Sequence, residues 1–414
     1  MNTERKTRYH FDPTGRFVIE GYDRVKPFAS FLPGIAGEMG IPLWAFTVNR
    51  GQAIASFGVE DKDHPIMEFL PANKSYQNTP TVGFRTFLKL TRDGETVFYE
   101  PFAPGNRSES TTMSIGINDL ELEATSRDRG IRTNVVYFIL PGESFAGLVR
   151  QVTVTNLGAV PVDLGVLDGM PRVMPYGVDN WGLKMIGRTL EAWMGVTNLA
   201  AGIPFYQFQA TAGDTAEVEH VEAGNFYLAF AVEDGTARLL PPLVDPVVVF
   251  GQNTTLSAPD RFLERPLSDL QAARQITTGR TPCGFFGLER RLAPGEAVTL
   301  TAIVGHTGSL DHLRQHQDRI ARADYVARKR EEAARLARQL TDVVDTGTAS
   351  PLFDAYCRQT FLDNVLRGGW PLILDRGEER TVYHVYSRKH GDLERDYNDF
   401  YLAAEPYSQG NGNY

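Results

Sequence analysis

The sequence predicts a mainly β protein, a large antiparallel β-sandwich followed by helices, and three observations predict it. Short runs rich in β-branched and aromatic residues recur from Phe11 to about Gly308. Turn formers such as Arg92-Asp93-Gly94, Pro141-Gly142-Glu143 and Ala293-Pro294-Gly295-Glu296 separate them, with hardly any helical period between. After Gly308 the period becomes that of a helix. Many short strands at this spacing argue for a sandwich rather than an alternating α/β fold. The 414 residues are 42% apolar, 11% aromatic and 22% charged, with 39 Gly and 24 Pro, a globular composition. That length leaves room for about two or three domains.

The strand signals run in order through residues 44–48, 83–88 and 148–155, then 160–167, 227–232, 247–250, 285–290 and 298–304. In 148–155, Leu148, Arg150, Val152 and Val154 share one face, and Arg150 interrupts an otherwise apolar side. No internal repeat and no low-complexity tract is present. Beyond Gly308, Leu313, Ile320, Ala327 and Ala334 repeat every seven residues, and Leu336, Leu340 and Val343 extend the stripe. Arg314, Arg319, Arg322, Arg328, Lys329, Arg330, Arg335 and Arg338 alternate there with Asp311, Asp318, Asp324, Glu331 and Glu332. Alternation of sign favours a solvated helical linker over a nucleic-acid surface.

A second helix is predicted from Ser350-Pro351, Ser suiting the N-cap and Pro the first helical position. Leu352, Phe353, Tyr356, Phe361, Val365 and Leu366 are expected to form its buried side, and Gly368-Gly369 ends it. An all-helical domain is expected to start here, so the predicted divisions are 1–308 for the sandwich, 309–348 for the linker and 349–414 for the helical part. The last seven residues, Ser408 to Tyr414, have loop chemistry with no closing element, which leads to the expectation that this is the N-terminal piece of a longer chain.

The net charge of −9 argues against duplex nucleic acid or an anionic membrane as main partner, since both attract clustered Lys and Arg. Only Cys283 and Cys357 are present, which excludes a disulfide framework and suggests a reducing compartment. The polar start resembles no signal peptide and no stretch of about 20 apolar residues follows, so a cytoplasmic location is expected. His312 and His316 stand at i and i+4, but with no adjacent Glu and no third ligand in view they read as a solvated pair. Serine-hydrolase, phosphate-loop and dinucleotide motifs are lacking.

Two regions carry candidate chemistry. In Asn49-Arg50-Gly51-Gln52, followed by residues 57–64 and 69–76, loop donors and acceptors mix with aromatics, as sugar hydroxyls and ring faces require. The other reading of this turn is that Asn and Gly build it while Arg50 pairs with a carboxylate. In residues 391–407, Arg395, Asp396 and Asp399 lie among Tyr397, Phe400 and Tyr401, a mixture suited to a carbohydrate cleft, or else to an exposed charged stretch.

Taken together, Val48-Asn49-Arg50-Gly51-Gln52 with Phe57-Gly58, the strand pair around residues 148–156, Leu292-Ala293-Pro294-Gly295-Glu296 and the terminal Gly410-Asn411-Gly412-Asn413-Tyr414 resemble the inverting glycoside phosphorylases related to cellobiose phosphorylase and the β-glucan phosphorylases. The resemblance covers the whole chain. It implies a galactose-mutarotase-like supersandwich, linker helices and the start of an (α/α)6 barrel. It also implies phosphorolysis of a β-linked gluco-oligosaccharide by inorganic phosphate, with inversion, to an α-sugar 1-phosphate, and it implies no metal or organic cofactor. In the family the terminal Gly-rich loop runs on into an Arg-Asp pair and the general acid lies further along a barrel loop, so no catalytic acid is assigned in this chain. Gln409, Asn411 and Asn413 match the donor-sugar side of the cleft. The Asn49 to Gln52 turn is the candidate loop lent to the active site, sometimes across a homodimer. A hydrolase of the same plan and a non-catalytic carbohydrate-binding module are the alternatives.

Overall fold

The computed structural model describes residues 8–32, 36, 40–41, 43–106, 108–209, 221–233, 235–368, 371–376, 379–386 and 401–403. An eleven-stranded sheet has at its centre Ile131–Ile139, Ala146–Asn156, Ala297–Thr307 and Gly224–Glu233, each antiparallel to the next. A five-stranded sheet is built around Val162–Met170, flanked by Arg85–Arg92 and Gly284–Leu292. A four-stranded sheet runs through Ala29–Phe31, Leu43–Val48, Ile54–Val59 and Pro65–Met67. The protein is therefore mainly β and antiparallel, a sandwich followed by helices.

Strand alternation decides which side chains meet. From Ala146–Asn156, Leu148, Val152 and Val154 enter a core shared by the three sheets, where they join Ile54, Phe57, Leu88, Leu164 and Val166. Val149, on the other face, packs with Phe138, Phe226, Leu228 and Ile303 beneath helices. With both faces covered, the strand is buried almost throughout, Gln151 and Thr153 alone being partly exposed.

The helices covering that second face are Leu310–Ile320, capped by the Ser309 side chain on the His312 amide, and Ala323–Thr341. The seven-residue repeat predicted across both does not survive as one stripe. The helix breaks at Ala321 and Arg322, which resets its phase, so Val326, Ala333 and Ala337 are buried while Ala327 is exposed.

The connections are more helical than the sequence suggests. Ala72–Val82 is a helix. Residues 247–250, expected as a strand, belong to the helix Pro246–Phe250, because Pro246 opens it and the Asp245 carboxylate caps the Val247 amide. With Asp260–Glu264 and Leu267–Ala272, this helix covers Phe87, Leu167 and Phe285 on the outer face of the five-stranded sheet. The helix Pro351–Gly368 forms where Ser350-Pro351 predicts it, and Leu352, Phe353 and Tyr356 on it are exposed. After it the chain does not stay helical: Pro371–Arg376, Glu379–Tyr386 and Tyr401–Ala403 pair as a three-stranded sheet. Val382, Tyr383, Val385 and Tyr386 have the β-branched and aromatic character a pleated strand favours. Among the described residues, no helix is long and apolar enough to cross a membrane.

Candidate functional site

Of the residues singled out by sequence, Arg395, Asp396, Asp399, Gln409, Asn411 and Asn413 lie outside the described residues. The Asn49 to Gln52 turn joins Leu43–Val48 to Ile54–Val59. Asn49 is buried: its Nδ2 donates to Tyr22 O and Lys26 O, both at 3.0 Å, and its Oδ1 accepts from the Phe28 amide at 3.0 Å. Arg50 is half-buried and donates to Asn49 O and Val25 O, carbonyl oxygens rather than a carboxylate. Gln52, also buried, belongs to a polar cluster in the middle of the sandwich. Asn49 and Gln52 thus face the interior, where backbone and core groups use their hydrogen-bonding capacity.

The centre of that cluster is Arg150, the residue that interrupts the apolar face. Its Nε and Nη2 donate to the two oxygens of Asp168 at 3.0 and 2.7 Å, and both side chains are fully buried. Nη2 also reaches Gln52 Oε1 and Thr86 Oγ1, Nη1 reaches the Tyr137 hydroxyl, and the guanidinium lies 4.8 Å from the Phe84 ring centroid. Burial works against the charge, but the Asp168 carboxylate outweighs it and holds the guanidinium above its ordinary pKa. The cluster thus ties the eleven-, five- and four-stranded sheets together, because Arg150 comes from the first, Asp168 and Thr86 from the second, and Gln52 from a turn of the third. The cluster has no open side and is a device of packing.

Cys283 and the distant His pair are equally engaged. Cys283 is buried with its Sγ 3.4 Å from Leu243 O, and burial raises its pKa well above the ordinary thiol range. His312 Nε2 is 2.8 Å from Ser144 Oγ, and its ring centroid is 4.7 Å from that of His316.

An accessible cluster of ionisable groups forms elsewhere, at the seam where residues 172–178 pass the strand Pro65–Met67. The Met174 amide donates to Ile66 O at 2.9 Å, and this brings the His64 ring against Tyr176, centroids 5.8 Å apart. On the other side of the seam His306, near the end of Ala297–Thr307, lies 4.4 Å from the same tyrosine ring. Its neighbour Gly305 lets Ala297–Thr307 lie close against Ala146–Asn156, since a Cβ there would sit 1.8 Å from Ala146 O.

The two imidazoles are tuned in opposite directions. His64 is partly exposed, and its Nδ1 meets Asp61 Oδ1 at 2.9 Å; that hydrogen bond, with Glu60 at 3.5 Å, raises its pKa. His306 is buried, and desolvation together with the charge of His64 lowers its pKa to about 4. Asn225 selects its tautomer: Nδ2 is committed to Met174 O at 2.8 Å, so Oδ1 accepts from His306 Nδ1 at 3.3 Å. Nε2 of His306 then presents a lone pair, with no hydrogen-bond partner among the described residues. Burial and the nearby Glu60 and Asp61 raise the Tyr176 pKa, and burial raises that of Glu68 against the pull of Arg172 and Lys184. The two imidazoles on either side of the Tyr176 ring thus differ in the sense of their shifts, His64 raised by its carboxylate neighbours and His306 lowered by burial. His64 falls within a loop the sequence singles out. His306 does not; its one local signal is a polar residue closing an apolar strand.

No family model and no curated protein matches the chain. Solved structures similar to it include a polysaccharide lyase, 14% identical over 66% of this chain and 33% of the other, TM-score 0.36. Another is a protein described as a kojibiose phosphorylase from the human microbiome, 8% identical over 86% and 33%, TM-score 0.29. A third is a galactose mutarotase-like protein from Clostridium acetobutylicum, 9% identical over 72% and 98%, TM-score 0.33. The chain spans about a third of the length of the first two. At TM-scores this low the likenesses carry no argument about activity.

Proposed function

We propose that the chain is the sandwich-bearing part of a carbohydrate-active enzyme of the inverting glycoside phosphorylase type, in which inorganic phosphate cleaves a β-linked gluco-oligosaccharide to an α-sugar 1-phosphate. The observation that carries this reading is the order of parts: an antiparallel sandwich, two helices laid over the outer face of its large sheet, then a helix exposing Leu352, Phe353 and Tyr356. It is the order implied by the motif resemblance around residues 48–58, 148–156 and 292–296. The chemistry is self-consistent. A phosphate dianion is already a nucleophile, so the protein needs one carboxylic acid for the leaving oxygen and a polarised pocket, not the second carboxylate that activates water in an inverting hydrolase.

In this proposal Arg395, Asp396, Asp399, Gln409, Asn411 and Asn413 contribute to the sugar subsite. Asn49, Arg50 and Gln52 hold the turn that borders it instead of touching sugar, and a homodimer would lend such loops across an interface. The general acid is assigned to no residue of this chain. The test is incubation of the full-length protein with β-linked gluco-oligosaccharides of different linkage, with and without inorganic phosphate, followed by 31P NMR. The expected result is phosphate-dependent formation of an α-sugar 1-phosphate. Sugar release at the same rate without phosphate, or no turnover of any β-linked substrate, overturns the reading.

A further inference from the structure

The two ends of the eleven-stranded sheet are finished differently. At one end Met194–Thr197 is covered: the Val196 amide donates to Thr277 O at 2.8 Å and the Gly279 amide to Met194 O at 3.2 Å. At the other, Arg8–Phe11 pairs with Phe17–Glu20 on its inner side, and among the described residues no strand pairs with its outer side. The Asp12 amide donates to Arg16 O at 3.0 Å. Because ladder bonds alternate, the backbone groups of Arg8, His10 and Asp12 point inwards and those of Tyr9 and Phe11 point outwards. Tyr9 and Phe11 are 54% and 41% exposed, and their ring centroids lie 6.1 and 5.5 Å from that of Phe17. An open edge that carries exposed aromatics is a template for another strand, and proteins that do not use such an edge blunt it.

We propose that this edge joins two copies of the chain, whose Arg8–Phe11 strands pair antiparallel about a twofold axis at His10. Tyr9 of each copy then faces Phe11 of the other, and each such pair exchanges both of its outward backbone hydrogen bonds. On one face of the joined strands the Tyr9 and Phe11 rings lengthen the aromatic row that begins at Phe17. On the other face Arg8 comes opposite Asp12 of the second copy, and this is what selects a second copy as the occupant. Arg8 is exposed with no ion pair among the described residues. Asp12 spends Oδ1 on the Thr14 amide and hydroxyl and on the Arg16 amide, and its Oδ2 has no hydrogen-bond partner among the described residues. The register is fixed by the same residues. A shift by two in one direction sets Tyr9 against Pro13, which has no N–H, and in the other sets Arg8 against His10. Strands this short make a small interface, so the dimer forms with rising concentration. The contact is independent of the phosphorolytic reading, and each can fail without the other.

The experiment is sedimentation equilibrium of the full chain from about 1 to 500 µM at low ionic strength, with disulfide trapping to read the register. The weight-average mass is expected to climb from one copy toward two. Tyr9→Pro removes an N–H on the outward side only, sparing the ladder to Phe17–Glu20, and is expected to keep the chain monomeric. Arg8→Glu, which sets like charges opposite each other, is expected to weaken association about tenfold. Near-UV circular dichroism should be unchanged in both. In a Cys357→Ser background, His10→Cys is expected to oxidise to a covalent dimer, because a residue on the axis meets its own copy at a Cα separation of about 4.5 Å. Tyr9→Cys, which faces Phe11 instead, should cross-link far less. His10 lies on the edge with its nearest carboxylate, Glu20, 4.0 Å away, so the trapping arm decides the matter should Tyr9→Pro fail to fold. A single copy at every concentration, a dimer that persists in the folded Tyr9→Pro or Arg8→Glu chain, or cross-linking of Tyr9→Cys as readily as of His10→Cys would each overturn the proposal.

Discussion

Arg150 places a full charge between sheets that are otherwise joined by aliphatic and aromatic side chains. Such a pair is costly to form and more costly to break, since removing one partner leaves the other charged, buried and unmatched. Arg150→Ala is accordingly expected to destabilise the fold by about 3–5 kcal/mol in urea denaturation, whereas Arg150→Met combined with Asp168→Leu should recover most of that loss. The residue is conspicuous in the sequence as the one polar position on an apolar face. Its partners are not. Asp168 lies in a different sheet, and Thr86 and Gln52 come from still earlier in the chain. Gln52 has the composition of a ligand-binding loop residue, and only the arrival of Arg150 from another sheet makes it a core residue. The same holds for Asn49, whose amide is saturated by three backbone groups of the preceding loop.

The elements meet through a few polar clamps as well as through apolar faces. Glu143, in the turn between Ile131–Ile139 and Ala146–Asn156, is buried and accepts from Arg319 Nη2 at 2.7 Å and Lys329 Nζ at 2.8 Å. It thereby fastens both outer helices to the turn between two central strands of the large sheet. Burial opposes its ionisation, but the hydrogen bonds from Lys329 and Arg319 outweigh that and lower its pKa. Its contribution is present above the usual carboxylate range and is lost as pH falls through the folded value. Glu143→Ala is expected to cost about 1.5–3 kcal/mol and to speed amide exchange in Leu310–Ile320 and Ala323–Thr341 while exchange in the central strands is unchanged. Equal acceleration in the strands would contradict the clamp. At this scale most strands were legible from β-branched and aromatic runs, and the start of the helix Pro351–Gly368 from Ser350-Pro351. The phase of the outer helices was not, because a break at Ala321 and Arg322 moves every later side chain around the axis.

For the whole molecule the layers run from helices through the large sheet to the two smaller sheets, and pH acts on the stack through its histidines. His306 has a folded pKa of about 4 against about 6.5 in an unfolded chain, so below 6.5 the unfolded state binds the extra proton. Stability should therefore fall by about 3 kcal/mol as pH drops from 6.5 through 4, and His306→Gln should flatten that slope in denaturation midpoints measured across the range. His64 acts in the opposite sense: its raised pKa contributes stability that is complete below the unfolded value and is lost as pH rises through the folded one. A sequence of eight histidines cannot say which two will titrate apart. By itself the sequence determined the class of the fold, the order of sandwich and helices and the turns between strands, because those follow from local propensity and short-range periodicity. Only the tertiary structure decided that Arg150 pairs with Asp168, that Asn49 and Gln52 face inward, and that His64, Tyr176 and His306 come together at one seam. Those outcomes depend on which distant strands become neighbours, and burial, tautomer and charge are then set by contacts that no local pattern contains.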